Sequence, residues 1–312
     1  VNNNVTTLGS SSDGIRLALS NSILVKDNFV NPMGFSGDAI RFDLSSFSTV
    51  QNNSVFLSSG SSRGVYMDRG SFSSVLDNSI IGELGNSKGI VLDLAANNIF
   101  RNNLIFSSSN GFIGLEIGAG SFDNNFFDSK IEASGVGANE TQFSSASSGV
   151  LNFTNVTLVY NKINFDSASL ARLNVHWYLD VLARYNNGTI IQDVNITGKN
   201  VFGDLSFSRL TGLDGKIPRQ SVLSYSKFAN NFIDQNNYTF EARFSGGNQN
   251  FTQSWNITQN REVIFVFSSD IKSPLVNIFD PDSITYSALP IPLNITTDES
   301  STAYYSLDAG TN

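Results

Sequence analysis

The sequence predicts an all-β protein: a right-handed parallel β-helix, then a β-sandwich, then the first strands of a second, immunoglobulin-like sandwich. Three observations predict it. A motif of small residue, apolar, any, apolar returns every 25 residues, at Gly14, Ala39, Gly64, Gly89 and Gly114. Each copy holds short alternating runs punctuated by Gly, Ser and Asn, with no helical periodicity. From Asn174 onward the rhythm stops and longer alternating runs begin.

A fixed period of this size marks stacked supersecondary units, and the content of the unit decides which kind. A coil of 25 residues carrying short strands such as Ile40-Arg41-Phe42 and Val65-Tyr66-Met67 fits a β-helix. Its coils would pair at about 4.8 Å. The corners follow from VKDNFV, VQNNSV and VLDNSI, which begin at Val25, Val50 and Val75. Their asparagine recurs as Asn4, Asn28, Asn53, Asn78 and Asn102, with Asn125 a looser sixth member, and places Asn28, Asn53, Asn78 and Asn102 in one turn column. Asparagine suits a tight turn because it tolerates left-handed φ, and stacked amides bond up and down a column. Phe42, Phe72 and Phe122 are expected in the interior. At Gly149 the motif reappears as GVLNF after 35 residues, which predicts an insertion near 135–148. The β-helix is thus assigned to residues 1–173, with about six to seven coils.

Over this stretch the repeat resembles the pectate-lyase-like β-helix superfamily. The resemblance implies the fold and, because it rests on no catalytic motif, not the chemistry.

Residues 174–270 are expected to form the sandwich. VHWYLDVLARY sets Val175, Trp177, Leu179 and Val181 on one face, and NYTFEARF, FTQSWNIT and REVIFVF supply further strands, with a turn at Asp214-Gly215. The order resembles the immunoglobulin-like and carboxypeptidase-regulatory-like modules of cell-surface proteins. Residues 271–312, opening on LVNIFDPDSITY, resemble the start of another such module. Expected, then, is a piece of a longer protein, open at both ends, with any export signal upstream of Val1.

Composition narrows the function. The formal charge is −8 with 15% charged residues, and the Lys and Arg clusters that bind nucleic acid or anionic membranes are missing. The absence of Cys removes disulfides, thiolate catalysis and Cys metal sites. No apolar run approaches the roughly 20 residues of a membrane span.

The sharpest chemical candidate is a carboxylate column, Asp43, Asp68 and Asp93, two places after Arg16 and Arg41 in the same register. Stacked anions about 5 Å apart repel unless something intervenes. One reading is a Ca²⁺ site, the only cofactor expected; others are an acidic catalytic cleft or solvated strand ends. His176, the only histidine, has no nucleophile-elbow partner and is expected at a surface or core edge. Trp177 and Trp255 are expected in the core. Ten of the 17 Thr stand in N-x-T, after Asn4, Asn139, Asn152, Asn155, Asn187, Asn195, Asn237, Asn250, Asn256 and Asn294. Chance would give 38 × 17/312, about two, so N-glycosylation of an exported chain is the preferred source of the spacing. Asn4, in the turn column, is expected to be too buried to be used.

The reading that collects these features is a non-enzymatic extracellular structural protein. It would be a glycosylated subunit of a surface layer, sheath or filament, in a style that resembles archaeal surface proteins. It would associate with itself, carry N-glycans and contact surface polysaccharide. The alternatives are a carbohydrate-binding adhesin and a β-helix lyase or glycosidase.

Overall fold

The computed structural model describes residues 3–245 and 249–268, and the backbone of Val276–Asp280 and Asn294–Thr297. Most of the expected third segment, 271–312, therefore lies outside the described residues.

Three parallel sheets wind the chain through seven coils. The first sheet runs from Asn4–Thr7 to Lys130–Ala133, the second from Ile15–Ala18 to Ile163–Phe165, and the third from Leu24–Lys26 into Arg172–Tyr185. Pairing keeps the sequence period: Ile40 faces Val65, Val65 faces Ile90, and Ile90 faces Leu115. Inward positions stack into apolar columns, and Phe42, Val65, Ile90, Phe100 and Phe153 are wholly buried. The chain is all-β, and its first half is a parallel β-helix.

The small residue of the motif has a steric cause. A Cβ on Gly64 would lie 2.5 Å from the Gly89 carbonyl and 2.6 Å from Ile80 Cγ2. On Gly89 it would meet the Gly114 carbonyl at 2.4 Å and Ile105 Cγ2 at 2.5 Å. In the sixth coil the place falls to Glu140, because the first sheet has ended and no isoleucine sits above. GVLNF belongs instead to the third sheet, where Phe153 faces Phe126. The expected insertion at 135–148 is therefore corrected to one extra residue. Ile113 to Asn125 spans 12 places and their partners Asn139 to Asn152 span 13.

Corner chemistry departs from expectation by one residue. Asn28, Asn53 and Asn78 are buried, and the column continues through Asn103 and Ser129, not Asn102. Asn53 Oδ1 accepts from the Asn28 backbone and side-chain amides, and its own amide lies 3.0 Å from Asn78 Oδ1 and 3.0 Å from the Val25 carbonyl. Asn102 sits one place earlier with φ 53°, in line with Asn52 and Asp77. Left-handed φ is thus the property of the residue before the ladder, and the ladder residue is chosen for its amide. A second internal column, Ser48, Ser73, Asn98 and Asn124, lines the other end of the third sheet. Of the three phenylalanines expected inside, only Phe42 is there; Phe72 and Phe122 are 56% and 46% exposed.

The 14-residue strand Arg172–Tyr185 joins two units. Its first part pairs parallel with Val150–Thr154 on one edge and antiparallel with Gln220–Lys227 on the other, and from Leu179 onward it pairs parallel with Arg261–Phe267. Opposite lies a four-stranded sheet of Leu205–Leu210, Asn195–Lys199, Asn237–Phe244 and Gln249–Asn256. Leu179, Val181, Phe240 and Phe265 are buried between them. Trp177 packs against both apolar cores, whereas Trp255, expected inside, is 38% exposed under the Arg261 guanidinium.

Two expectations follow. Asn53→Leu strands the buried Asn28 N–H and Val25 carbonyl and should lower stability by about 3 kcal/mol, whereas Asn102→Gly should be tolerated; chemical denaturation of both decides. Burial holds the Glu140 carboxyl above the ordinary glutamate value of 4.5, although the Val159 N–H and Lys162 oppose this. The unfolded chain then releases this proton first, so the Glu140 contribution falls as pH rises from 4.5 through the raised value. Unfolding free energies of wild type and Glu140→Gln, measured across that window, should diverge in favour of the variant as pH rises.

Candidate functional site

The outward face of the second sheet carries the densest chemistry. Parallel register builds three columns there: Arg16, Arg41, Tyr66, Val91 and Glu116; Asp38, Arg63, Lys88 and Ile113; and Asp43, Asp68 and Asp93. The expected aspartate column therefore exists, on three consecutive coils.

Its charges are answered within the chain. Asp43 is bonded by Arg16 and lies 3.8 Å from Arg69, which hold its carboxyl below the usual range; the Arg16 hydrogen bond is the main cause. Asp68 lies 2.9 Å from Arg69 and 3.6 Å from Arg41. Asp93 differs: no cation pairs with it among the described residues. Burial, then Asp68 and Glu116, holds its carboxyl above the ordinary value. Beside the column Asp38, with a side chain 1% exposed, takes a two-pronged contact from Arg63 at 2.5 and 2.9 Å. Burial still raises its pKa, because desolvation outweighs the arginine. Arg63 lies 3.7 Å over the Tyr66 ring and Arg41 lies 5.1 Å from it. Sequence reading missed Asp38 and Arg63, though their 25-residue spacing was visible; it missed Arg69 because a corner residue breaks the strand pattern.

This lattice has little left over for a ligand. Among the described residues no group of three or more His, Cys, Asp or Glu is arranged to hold a metal ion, and Asp43 and Asp68 point to arginines. His176 is largely buried, with Nδ1 3.3 Å from the Phe153 carbonyl, and burial lowers its pKa, so the ring is neutral at pH 7. A concavity of about 610 Å³ lies away from all this at the first corner, lined by Asn3, Asn4, Asn28 and Asn52.

The N-x-T asparagines fall into two groups. Asn152 and Asn155 donate their amides to Asn125 and Asp128, and Asn139 is half-buried. Asn4, expected to be buried in the turn column, is exposed, as are Asn187, Asn237, Asn250 and Asn256, while Asn195 is half-buried. The side chain of Asn294 lies outside the described residues. The spacing also has a source in the pleat. In eight of the ten, the middle residue is apolar, and Phe153, Val156, Ile196, Tyr238 and Ile257 are buried. A strand with Asn and Thr outside and an apolar residue inside writes N-x-T by alternation alone.

The fold defines the class: a parallel β-helix protein. Within that class, the NosD family, described as periplasmic copper-binding protein, matches residues 1–161, over half the chain, and the chain belongs to it. No curated protein matches the chain. The family is one of binding proteins and not of catalysts, in agreement with the expectation that the chain is not an enzyme. Its description fits a β-helix protein of the periplasm or extracellular space. No helix among the described residues is long and apolar enough to cross a membrane. Copper does not fit the residues present. The chain has no Cys and one His, whose ring is largely buried against a carbonyl, and of its two Met, Met67 is buried while Met33 stands exposed on another sheet corner.

The lattice is expected to be structural. Arg63→Ala leaves the Asp38 carboxylate buried and half-answered and should destabilise by about 3 kcal/mol. Arg63→Ala/Asp38→Ala should recover most of that loss, as a double-mutant cycle by denaturant unfolding would show.

Proposed function

We propose that this chain is a non-catalytic structural protein outside the cytoplasm, a self-associating subunit of a cell-surface layer, sheath or filament. One observation supports it above the others. The lateral face of the β-helix is a periodic lattice in which almost every charge is answered by another of the same chain. Such a face is rigid and ordered, and it offers little to a substrate; regular surfaces of this kind suit repeated contacts between copies. The second unit, read as an immunoglobulin-like sandwich, presents a four-stranded sheet rich in Ser, Thr and Asn. N-glycans at the exposed Asn187, Asn237, Asn250 and Asn256 would cover it, as on the archaeal surface proteins the sequence resembles. The aspartate column is no longer the preferred place for Ca²⁺.

A second reading, a carbohydrate-binding adhesin, has one specific support. A concavity of about 410 Å³ is lined by Tyr160, Lys227, Asn230, Asn231 and Phe232, and exposed aromatic rings beside amides are the chemistry that holds sugars.

Electron microscopy of native or concentrated protein should show filaments or a lattice. Glycopeptide mass spectrometry should find sugar on Asn187, Asn237 and Asn256 and bare Asn152 and Asn155. A monomer at high concentration that binds surface polysaccharide, and loses binding on Phe232→Ala, would replace the first reading by the second.

A further inference from the structure

At the corner between the second and third sheets, bulky apolar residues stand where the backbone is least comfortable and water is nearest. Leu19, Leu44 and Leu94 occupy one column at φ 50°, 54° and 51°, and Phe47 and Phe72 occupy the next at 56° and 55°. All five are exposed, from 43% for Leu44 to 79% for Leu19. The left-handed region suits Gly or Asn, and a leucine there is only partly covered by its own chain. The same corner in the fourth coil holds Asn97 at φ 57°, so the fold accepts the expected residue when nothing else is asked of it. Strained positions of this kind gather where a protein meets a partner, and so do contiguous exposed apolar surfaces. The ridge is ordered: Phe47 and Phe72 stack at 5.3 Å with rings 8° from parallel.

Charge along the ridge selects the occupant. In the leucine column the third coil carries Arg69, whose side chain is 47% exposed, in place of leucine. In the adjoining column, of Asp43, Asp68 and Asp93, the fourth coil's Asp93 is the member that no cation pairs with among the described residues. One coil further, Ala119 and Gly120 replace the leucine, and Gly118 stands where the aspartate would be, so the ridge is lowered there. Reversing the ridge on itself about a two-fold axis between the third and fourth coils matches these features. Arg69 of each copy meets Asp93 of the other, its stem lies on the other's Leu94, and Leu44 enters the space left by Ala119 and Gly120. Such an isologous contact closes on two copies.

We propose that this corner is a docking surface for a second copy of the same chain, laid antiparallel, with reciprocal Arg69–Asp93 pairs inside a Leu–Phe seam. The proposal rests on the self-associating reading above and names the lateral contact it would use.

Charge exchange tests it on the full chain by sedimentation equilibrium. Asp93→Arg places a cation beside Asp68 and relieves repulsion within the chain, yet sets like charges across the seam, so the dimer Kd should rise at least tenfold while thermal stability holds. Arg69→Asp should also weaken pairing, and Arg69→Asp/Asp93→Arg should bring the Kd back to within about threefold of wild type. Leu44→Asn and Phe47→Asn, both favoured at left-handed φ, should keep or raise the melting temperature and weaken pairing at least tenfold. Assemblies that persist while all these variants associate like wild type, or a double exchange that does not recover, would overturn this surface and leave the assembly reading standing. A wild-type chain monomeric under every condition would overturn both.

Discussion

Register between successive coils is the constraint on which the rest of this molecule depends, and buried side-chain amides enforce it. Each corner turns the chain out of a sheet and leaves backbone N–H groups facing inward, where an unanswered donor costs about 1–3 kcal/mol. Asn28, Asn53, Asn78 and Asn103 answer them one coil at a time, each accepting from the coil before and donating to the coil after. An asparagine slipped by one place would lose both bonds and turn its strand inside out, because side chains alternate between faces. The 25-residue period is the outcome of that penalty.

Once register holds, outward columns are fixed too, and like charges would stack at about 4.8 Å. The second sheet meets this by offsetting the charges: Arg16 reaches Asp43 one coil on, Arg41 reaches Asp68, and Arg63 reaches back to Asp38. Diagonal pairing converts a repulsive ladder into a cross-linked one. It also removes Asp38, Asp43 and Asp68 from chemistry, since each is oriented by a guanidinium. The family description speaks of copper, yet the soft and imidazole ligands that copper prefers are nearly missing from this chain.

The end of the β-helix follows the same logic. When the first sheet stops at Lys130–Ala133, the glycine column is released and Glu140 turns its carboxyl inward to the Val159 N–H. Lys227 caps the carbonyls of Tyr160 and Ile163 from the second unit. The third sheet does not stop; it runs on through Arg172–Tyr185 into the next core, so the two units share a strand. That continuity explains why Trp177 belongs to both apolar clusters.

The sequence by itself determined the fold class, the period, the glycine column and the place where the rhythm changes. All of these are local or periodic: a Cβ clash repeats every coil, and alternation is visible within four residues. The aspartate column was legible for the same reason. What the tertiary structure decided was every choice between neighbours one place apart and every pairing between columns. Asn102 and Asn103 are both asparagine, and only pairing shows which amide points inward. Phe42 and Phe72 look equally apolar, yet a left-handed corner turns Phe72 outward. GVLNF copies the motif but sits in a different sheet, because the motif's own place in that coil is held by Glu140 and GVLNF pairs with Asn124–Phe127. Arg63 could have answered any of several acids; the offset between adjacent strands chose Asp38. Composition and spacing constrain residues along the chain, whereas the distance between side chains 25 residues apart is set by the coil that carries them.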